Sequence, residues 1–277
     1  MSDWQTAPAV KEIKDISVVG WILVILRTVT LAIVVFGGLL VHLTCRLIER
    51  PLFGQNRPVT PFITQAVCRA AFVIMGVKYS VIGHPMTQKG AIVANHSSWL
   101  DIFSLNACQR IYFVSKSEVA GWPGIGWLAL ATGTVFIRRD PRDAKRQKTV
   151  FEERLNLGHK LLFFPEGTST DAIRVLPFKS TLFAAFFDEN LRQDMYIQPV
   201  TVLYHAPKGA DARYYGWWGD MDFGTHLLTT LSTVRQGTIE VVFQPPKAVA
   251  DFDNRKSLAA ALEQDVRAKH SLTHHAG

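Results

Sequence analysis

Residues 95–101 read NHSSWLD, directly after the apolar run GAIVA, and put an imidazole and a carboxylate where a strand gives way to a helix. His96 and Asp101 are five positions apart, about 140° around an ideal helix, so they do not share a helix face. They meet only if His96 sits on the turn before the helix and folds back over its first turn. A carboxylate accepting the Nδ1–H would then fix the tautomer and leave Nε2 free to take a proton. Two other apolar runs end in reactive groups: GTVFIRR in Arg138 and Arg139, and KLLFFPEG in Glu166. A lone histidine is as a rule a hydrogen-bonded structural residue. Pairing with Asp101 and three converging strand ends argue for a site, because ligands of open α/β sheets collect at the carboxyl ends of strands.

A base needs something to activate. A Ser-His-Asp hydrolase would carry its serine on a G-x-S-x-G elbow. The chain has none, and Ser97 and Ser98 beside the histidine lack that signature. A His-Asp pair without a protein nucleophile fits direct attack by the hydroxyl of a bound substrate. General-base help of this kind is worth ~10²–10⁴ in rate. The stretch FFPEGTST (163–170) adds a second element. Pro165 stops the strand, Gly167 permits close backbone approach, and Thr168 with the following N–H groups suits an anionic or hydroxylated ligand. The alternative there is a tight turn closed by Thr168.

These residues need a scaffold, and the pattern supplies one. Short β-branched and aromatic runs bounded by Gly, Pro or polar clusters predict strands at 77–83, 90–96, 111–116, 133–139, 160–167, 197–204 and 239–246. Helical windows at 60–75, 98–109, 141–157, 179–190 and 254–269 alternate with them, the last capped by Asp253. Strands alternating with helices predict an α/β fold: a largely parallel mixed sheet flanked by helices. The tail from Lys269, with His270, His274 and His275, reads as a frayed end and not a metal site. The aromatic segment YYGWWGDMDFGTHL (214–227) suits either a membrane interface or a buried cluster. Its Asp220, Asp222 and His226 are not needed as metal ligands, and no metal site is expected.

Ahead of this lies an apolar stretch, residues 16–45, divided by Arg27. Thr28 to Cys45 is free of formal charge and sits at the lower length limit for crossing a bilayer. It is too long for a signal-peptide core. One spanning helix with Arg27 snorkelling to an interface, two shorter helices in one leaflet, and a buried core helix all fit. The expected organisation is a membrane-anchoring region, a helix or helix pair, over 1–58 and an α/β domain over 59–277. The flanking charges are too balanced to set an orientation.

Of 277 residues, 48% are hydrophobic, and the net charge is +7. Six Lys/Arg against two Asp fall within 138–148. Such an excess suits an anionic lipid, an acidic carrier or a cofactor, or simply a solvated helix start. Nucleic acid is not expected, since no binding motif accompanies the charge. Cys45, Cys68 and Cys108 have neither zinc nor disulfide spacing and are expected to be reduced, packed residues.

Taken together, NHSSWLD resembles the HxxxxD motif of the glycerolipid acyltransferase family, the lysophosphatidate acyltransferase type. GTVFIRRDPRDA resembles its second block, FFPEGTS its third and IQPVTV its fourth, in order, across roughly residues 60–250. The resemblance implies a bacterial inner-membrane enzyme, its site facing the cytoplasm. It would move a fatty acyl group from acyl carrier protein or coenzyme A thioester to a lysolipid hydroxyl, without a further cofactor. His96 would be the base and Asp101 its orienting partner. Gly133, Phe136, Ile137 and Arg139, with Glu166, Gly167 and Thr168, would shape the acceptor site, and Pro199 the acyl-donor side. The family's third block commonly continues with an Arg, where this chain has Ser169. The run EGTSTDAIRVLPFKSTLF (166–183) is more similar to the bacterial branch that acylates lyso-ornithine lipid, and Arg138 would face that headgroup's carboxylate. Arg139 and Arg142 leave 1-acylglycerol-3-phosphate open as a further or alternative acceptor. The rivals from other classes are a lipid hydrolase and a silent lipid-binding protein.

Overall fold

The computed structural model describes residues 16–138 and 144–274. In chain order the helices are α1 (Val18–Phe53), α2 (Thr60–Met75), α3 (Leu100–Cys108), α4 (Ile125–Thr132), α5 (Ala144–Asn156), α6 (Glu189–Arg192), α7 (Phe223–Ser232) and α8 (Arg255–His274). The strands are β1 (Lys78–Ile82), β2 (Gly90–Ala94), β3 (Tyr112–Lys116), β4 (Val135–Ile137), β5 (Leu161–Phe163), β6 (Tyr196–His205), β7 (Thr238–Phe243) and β8 (Lys247–Ala248).

Seven strands lie in the order β1-β7-β6-β2-β5-β3-β4, and β8 pairs with β6. β6, β2, β5, β3 and β4 are mutually parallel, while β7 and β8 run antiparallel to β6. The carboxyl ends after β2, β5 and β4 therefore share one edge of the sheet. Every residue of β2 is buried, as a parallel strand covered on both faces requires. Ile92 and Ala94 point into a core with α2, α3 and α7. Ala91 and Val93 point the other way, into a core with Phe151 and Leu155 of α5 and Leu258, Leu262 and Val266 of α8.

Pro199 stands in mid-strand, opposite Val93 of β2. Its carbonyl accepts from the Gln244 amide at 3.1 Å, so the missing N–H faces the gap between β7 and β8, where no ladder bond is lost.

Helix α1 runs unbroken through Arg27, starting from a Ser17 cap whose Oγ accepts the Gly20 N–H at 3.1 Å. Few of its residues are buried, so it is not a core helix. Arg27 does not snorkel: its guanidinium donates to the carbonyls of Leu231 (2.8 Å) and Thr233 (2.7 Å), at the end of α7. Further along, His42 Nε2 bonds the Ala131 carbonyl at the end of α4 (2.9 Å). From α2, Gln65 and Arg69 reach the Ala107 carbonyl at the end of α3, at 3.2 and 2.9 Å. Three helix C-termini, with their orphan carbonyls and partial negative charge, are thus closed by side chains of α1 and α2. Glu49 of α1 in turn accepts the Val59 and Thr60 amides and caps the start of α2.

Several expectations change. The window 179–190 forms a 3-10 segment, Ser180–Phe187, followed by the single turn α6. Phe183 and Phe186, both fully buried, eclipse at the three-residue repeat that this tighter coil prefers. Asn254, not Asp253, caps α8, accepting from the amides of Lys256 (2.9 Å) and Ser257 (3.1 Å). The chain end is not frayed from Lys269: α8 continues to His274, and His270 is buried. Cys45, Cys68 and Cys108 are unpaired.

Candidate active site

The strand β2 ends because Asn95 replaces the next ladder step. Its side-chain amide takes both backbone groups of Val202, donating to the carbonyl (2.9 Å) and accepting from the N–H (2.8 Å). The main chain is released into a turn with the sheet's hydrogen bonding still satisfied. On that turn His96 folds back as the spacing demanded: Nδ1 lies 2.7 Å from Asp101 Oδ2.

Asp101 is fully buried, and its carboxylate is saturated with donors. Oδ2 also accepts the amides of Ser97 (2.8 Å) and Ser98 (3.0 Å), while Oδ1 accepts the Tyr204 hydroxyl at 2.5 Å. Only the ionised form is acceptor-only and suited to this set. The carboxylate makes Nδ1 the protonated nitrogen of neutral His96, so Nε2 is the basic one. Among the described residues no serine or cysteine hydrogen-bonds the ring. Phe164 stacks against it, centroids 4.0 Å apart and planes within 11°.

The loop after β5 holds the other side of His96. Glu166 is 1% exposed, and its two oxygens accept the His96 amide and the Leu176 amide, each at 2.7 Å. Burial pushes its carboxyl up to about 8, against the pull of those two bonds. Thr170 donates from its amide (2.9 Å) and its hydroxyl (3.1 Å) to the His96 carbonyl. Both backbone groups of His96 are therefore clamped by the 166–170 loop. Gly167 turns that loop at a φ of +76°, and a Cβ there would come within 2.5 Å of Lys179 Nζ. Thr168 is exposed beside it. Ala172, buried at a φ of +66°, holds the loop's return in a left-handed conformation costly for a side chain.

The aromatic segment proves to be a buried support for this turn. Tyr215 and Trp218 are buried, and the Trp217 amide donates to the Ser97 carbonyl at 2.8 Å. Gly216 lies so close to Asp171 that a Cβ would fall 2.7 Å from its carbonyl carbon. Asp222 caps α7 through the Thr225 amide, and His226 Nδ1 accepts the Trp99 indole N–H at 2.9 Å. Burial lowers His226 to about 4, so it is neutral.

Block two is further away. β4 is three strands from β2, roughly 14 Å across the ladder. Phe136 and Ile137 pair opposite Ser115 and Lys116 of β3, and Arg138 follows, exposed, at the same sheet edge as His96. Arg139 and Arg142 lie outside the described residues. Gly133 is at the opposite end of β4. It closes α4 at a φ of +85°, and the Arg57 guanidinium covers it so closely that a Cβ would be 2.8 Å from Cζ. Arg57 donates from there to the Ala131 carbonyl at 2.7 Å. Pro199 is likewise buried mid-sheet, level with Val93 and not with His96.

The structure thus unites His96, Asp101, Glu166, Gly167 and Thr168, and keeps Gly133 and Pro199 apart from them. Tyr204, Thr170 and Phe164, which complete the surroundings, fell inside segments read only as strand or turn. Tyr204 could have been found from the two-residue step that puts it on the same face of β6 as Val202.

A largely parallel mixed sheet thus carries a carboxylate-held imidazole at its carboxyl edge, and among the described residues no serine or cysteine bonds that ring. Residues 80–203 match the acyltransferase family. The lyso-ornithine lipid O-acyltransferase of Rhodobacter capsulatus is 63% identical, over 87% of this chain and 88% of that protein. Its counterpart in Brucella abortus is 39% identical, over 64% of this chain and 69% of that protein. The crystal structure of the 1-acyl-sn-glycerophosphate (LPA) acyltransferase PlsC from Thermotoga maritima shares the fold. It superposes with a TM-score of 0.64 at 19% identity, covering 92% of this chain and 96% of that one. The chain belongs to the acyltransferase family.

Proposed function

We propose that this acyltransferase moves a fatty acyl group from an acyl carrier protein or coenzyme A thioester to the free hydroxyl of lyso-ornithine lipid, giving ornithine lipid. The observation that carries the chemistry is the Asp101–His96 bond, which leaves Nε2 as the base. Nε2 takes the proton of the lysolipid hydroxyl as its oxygen attacks the thioester carbonyl. The tetrahedral intermediate collapses, the C–S bond breaks, and the leaving thiolate recovers the proton from His96. A thioester is already activated and the acceptor brings the nucleophile, so the reaction calls for no metal or further cofactor. The headgroup assignment is supported by the 63% identical relative and by Ser169, which removes an Arg suited to phosphate.

The enzyme works at a lipid surface, and we place it on the cytoplasmic face of the bacterial inner membrane, where acyl thioesters are made. Helix α1, with 36 residues, is long and apolar enough to cross a bilayer. Its hold on the domain argues against crossing. Between Gly20, pressed against the Ser232 carbonyl, and Glu49 it spans about 43 Å of helix, tied at Arg27 and His42 to α7 and α4. A helix bound along its length to one side of a domain lies in the interface, its outward apolar face sunk in one leaflet. α4 extends that face. All its residues are apolar, small or threonine, Trp127 is 64% exposed and Leu130 56%, beside Trp122 at 43%.

The test is acyl transfer by the solubilised protein, read by mass spectrometry. Lyso-ornithine lipid and 1-acylglycerol-3-phosphate compete for acyl carrier protein thioester, with His96→Ala alongside. Ornithine lipid as the main product is expected, and His96→Ala is to fall by at least ~10². Phosphatidate as the main product would overturn the headgroup assignment; full turnover by His96→Ala would overturn the base. Thioester loss without acylated lipid would mean hydrolysis.

A further inference from the structure

The carboxylate that orients His96 has a second oxygen, and among the described residues a phenol donates to it. Tyr204, fully buried near the end of β6, donates to Asp101 Oδ1 at 2.5 Å, while the histidine and two amides all converge on Oδ2. β6 grips the catalytic turn twice on consecutive outward steps: the Val202 backbone holds Asn95, and the Tyr204 hydroxyl holds Asp101. The family match ends one residue before Tyr204.

We propose that Tyr204 is the positioning residue of the dyad, its O–H fixing the Asp101 carboxylate so that Oδ2 faces His96 and setting how tightly that oxygen holds the imidazole proton. The proposal rests on His96 acting as base. A buried carboxylate oxygen without a donor loses the free energy of a charged hydrogen bond and regains freedom to rotate. The Tyr204 ring is itself fixed, 5.8 Å from the Tyr215 ring. Burial beside Asp101 raises the phenol well above its ordinary range, so it stays a donor at every working pH.

The sign of the effect follows. With no phenol on Oδ1, negative charge concentrates on Oδ2, the imidazolium is favoured, and His96 becomes a free base only at higher pH. A more acidic phenol does the opposite. The other titratable groups facing this assembly are Glu166 on the His96 amide, Tyr215 behind Tyr204, and His226 behind Trp99. None of them is altered by the substitutions below.

The experiment compares Tyr204→Phe with 3-fluorotyrosine incorporated at the same position, both against wild type and His96→Ala. Tyr204→Phe is expected to lower kcat by about 10- to 100-fold, the equivalent of one charged hydrogen bond, with KM little changed. The acidic limb of its kcat/KM profile should move to higher pH, and that of the fluorotyrosine enzyme to lower pH. If Tyr204→Phe does not fold, the fluorotyrosine enzyme, which keeps every contact, decides alone. Profiles that stay at the wild-type pH in the folded variants would overturn the proposal and leave Tyr204 a core residue. An active His96→Ala would instead overturn the base reading beneath it.

Discussion

The Glu166 carboxylate bridges two backbone amides, His96 on one oxygen and Leu176 on the other, each at 2.7 Å. That bridge holds the peptide of His96, the proposed base. An amide in its place must turn an NH2 toward one of those N–H donors. Glu166→Gln should therefore cost about 1–3 kcal/mol of stability and lower kcat more than it raises KM. Urea unfolding and steady-state kinetics on the same preparation check both. A raised lysolipid KM with kcat intact would mean that Glu166 contacts the acceptor.

Gly133 is a seat for Arg57. A Cβ at its φ of +85° is strained, and it would also displace the guanidinium from the Ala131 carbonyl. Gly133→Ala is expected to destabilise by ~1–3 kcal/mol. Arg57→Ala should lose stability too, and the double variant less than the sum, because both remove the same contact. Lysolipid KM should stay near wild type. Additive losses, or a KM effect that dominates, would return Gly133 to the acceptor site.

How much of this was legible beforehand depends on what each residue's neighbours contribute. The seven longer strands and α2 were readable because their apolar periodicity is local. The His96–Asp101 pairing was readable because a five-residue spacing restricts the geometry. α4 was not: IGWLALAT is apolar without a polar face, so no periodicity marks it. α7 was hidden in an aromatic run that read as a membrane belt or a buried cluster. Its capping by Arg27, more than two hundred residues away, is purely tertiary. The same holds for Gly133, whose partner Arg57 lies in the α1–α2 connection.

Acid should loosen the domain, in part through His226, which accepts from Trp99 behind the His96 turn. Burial lowers His226 and His159 to about 4, below the ordinary 6.5 they regain on unfolding. The unfolded chain therefore binds more protons between pH 6.5 and about 4, and stability falls as pH drops through that window. Above 6.5 these groups contribute no slope. His226→Asn keeps an acceptor for the Trp99 indole without titrating, and should remove part of the acid slope. Urea midpoints at pH 7 and 5 measure it. An unchanged slope in His226→Asn would show that His226 is not among the residues responsible.

Arg27 and His42, fifteen residues apart on α1, are fastened to α7 and α4 of the same domain. That spacing is about 22 Å of helix, most of a bilayer's hydrocarbon core, with both ends on one protein surface. If α1 lies in one leaflet, cysteines at Val18 and Leu52, introduced one at a time with Cys45, Cys68 and Cys108 replaced by alanine, must both be reached from the cytoplasmic side. A membrane-impermeant maleimide applied to inverted and right-side-out vesicles distinguishes the cases. A spanning helix would label one end from each side. The exposed α4 belongs to the same surface, so Trp127→Glu with Leu130→Glu should weaken flotation with anionic vesicles in a protein that remains folded. Flotation at the wild-type level would confine the lipid contact to α1 and α2. Should the two ends label from opposite faces, the bonds from Arg27 and His42 could not both persist in the membrane. The Leu231 and Ala131 carbonyls would then need other donors.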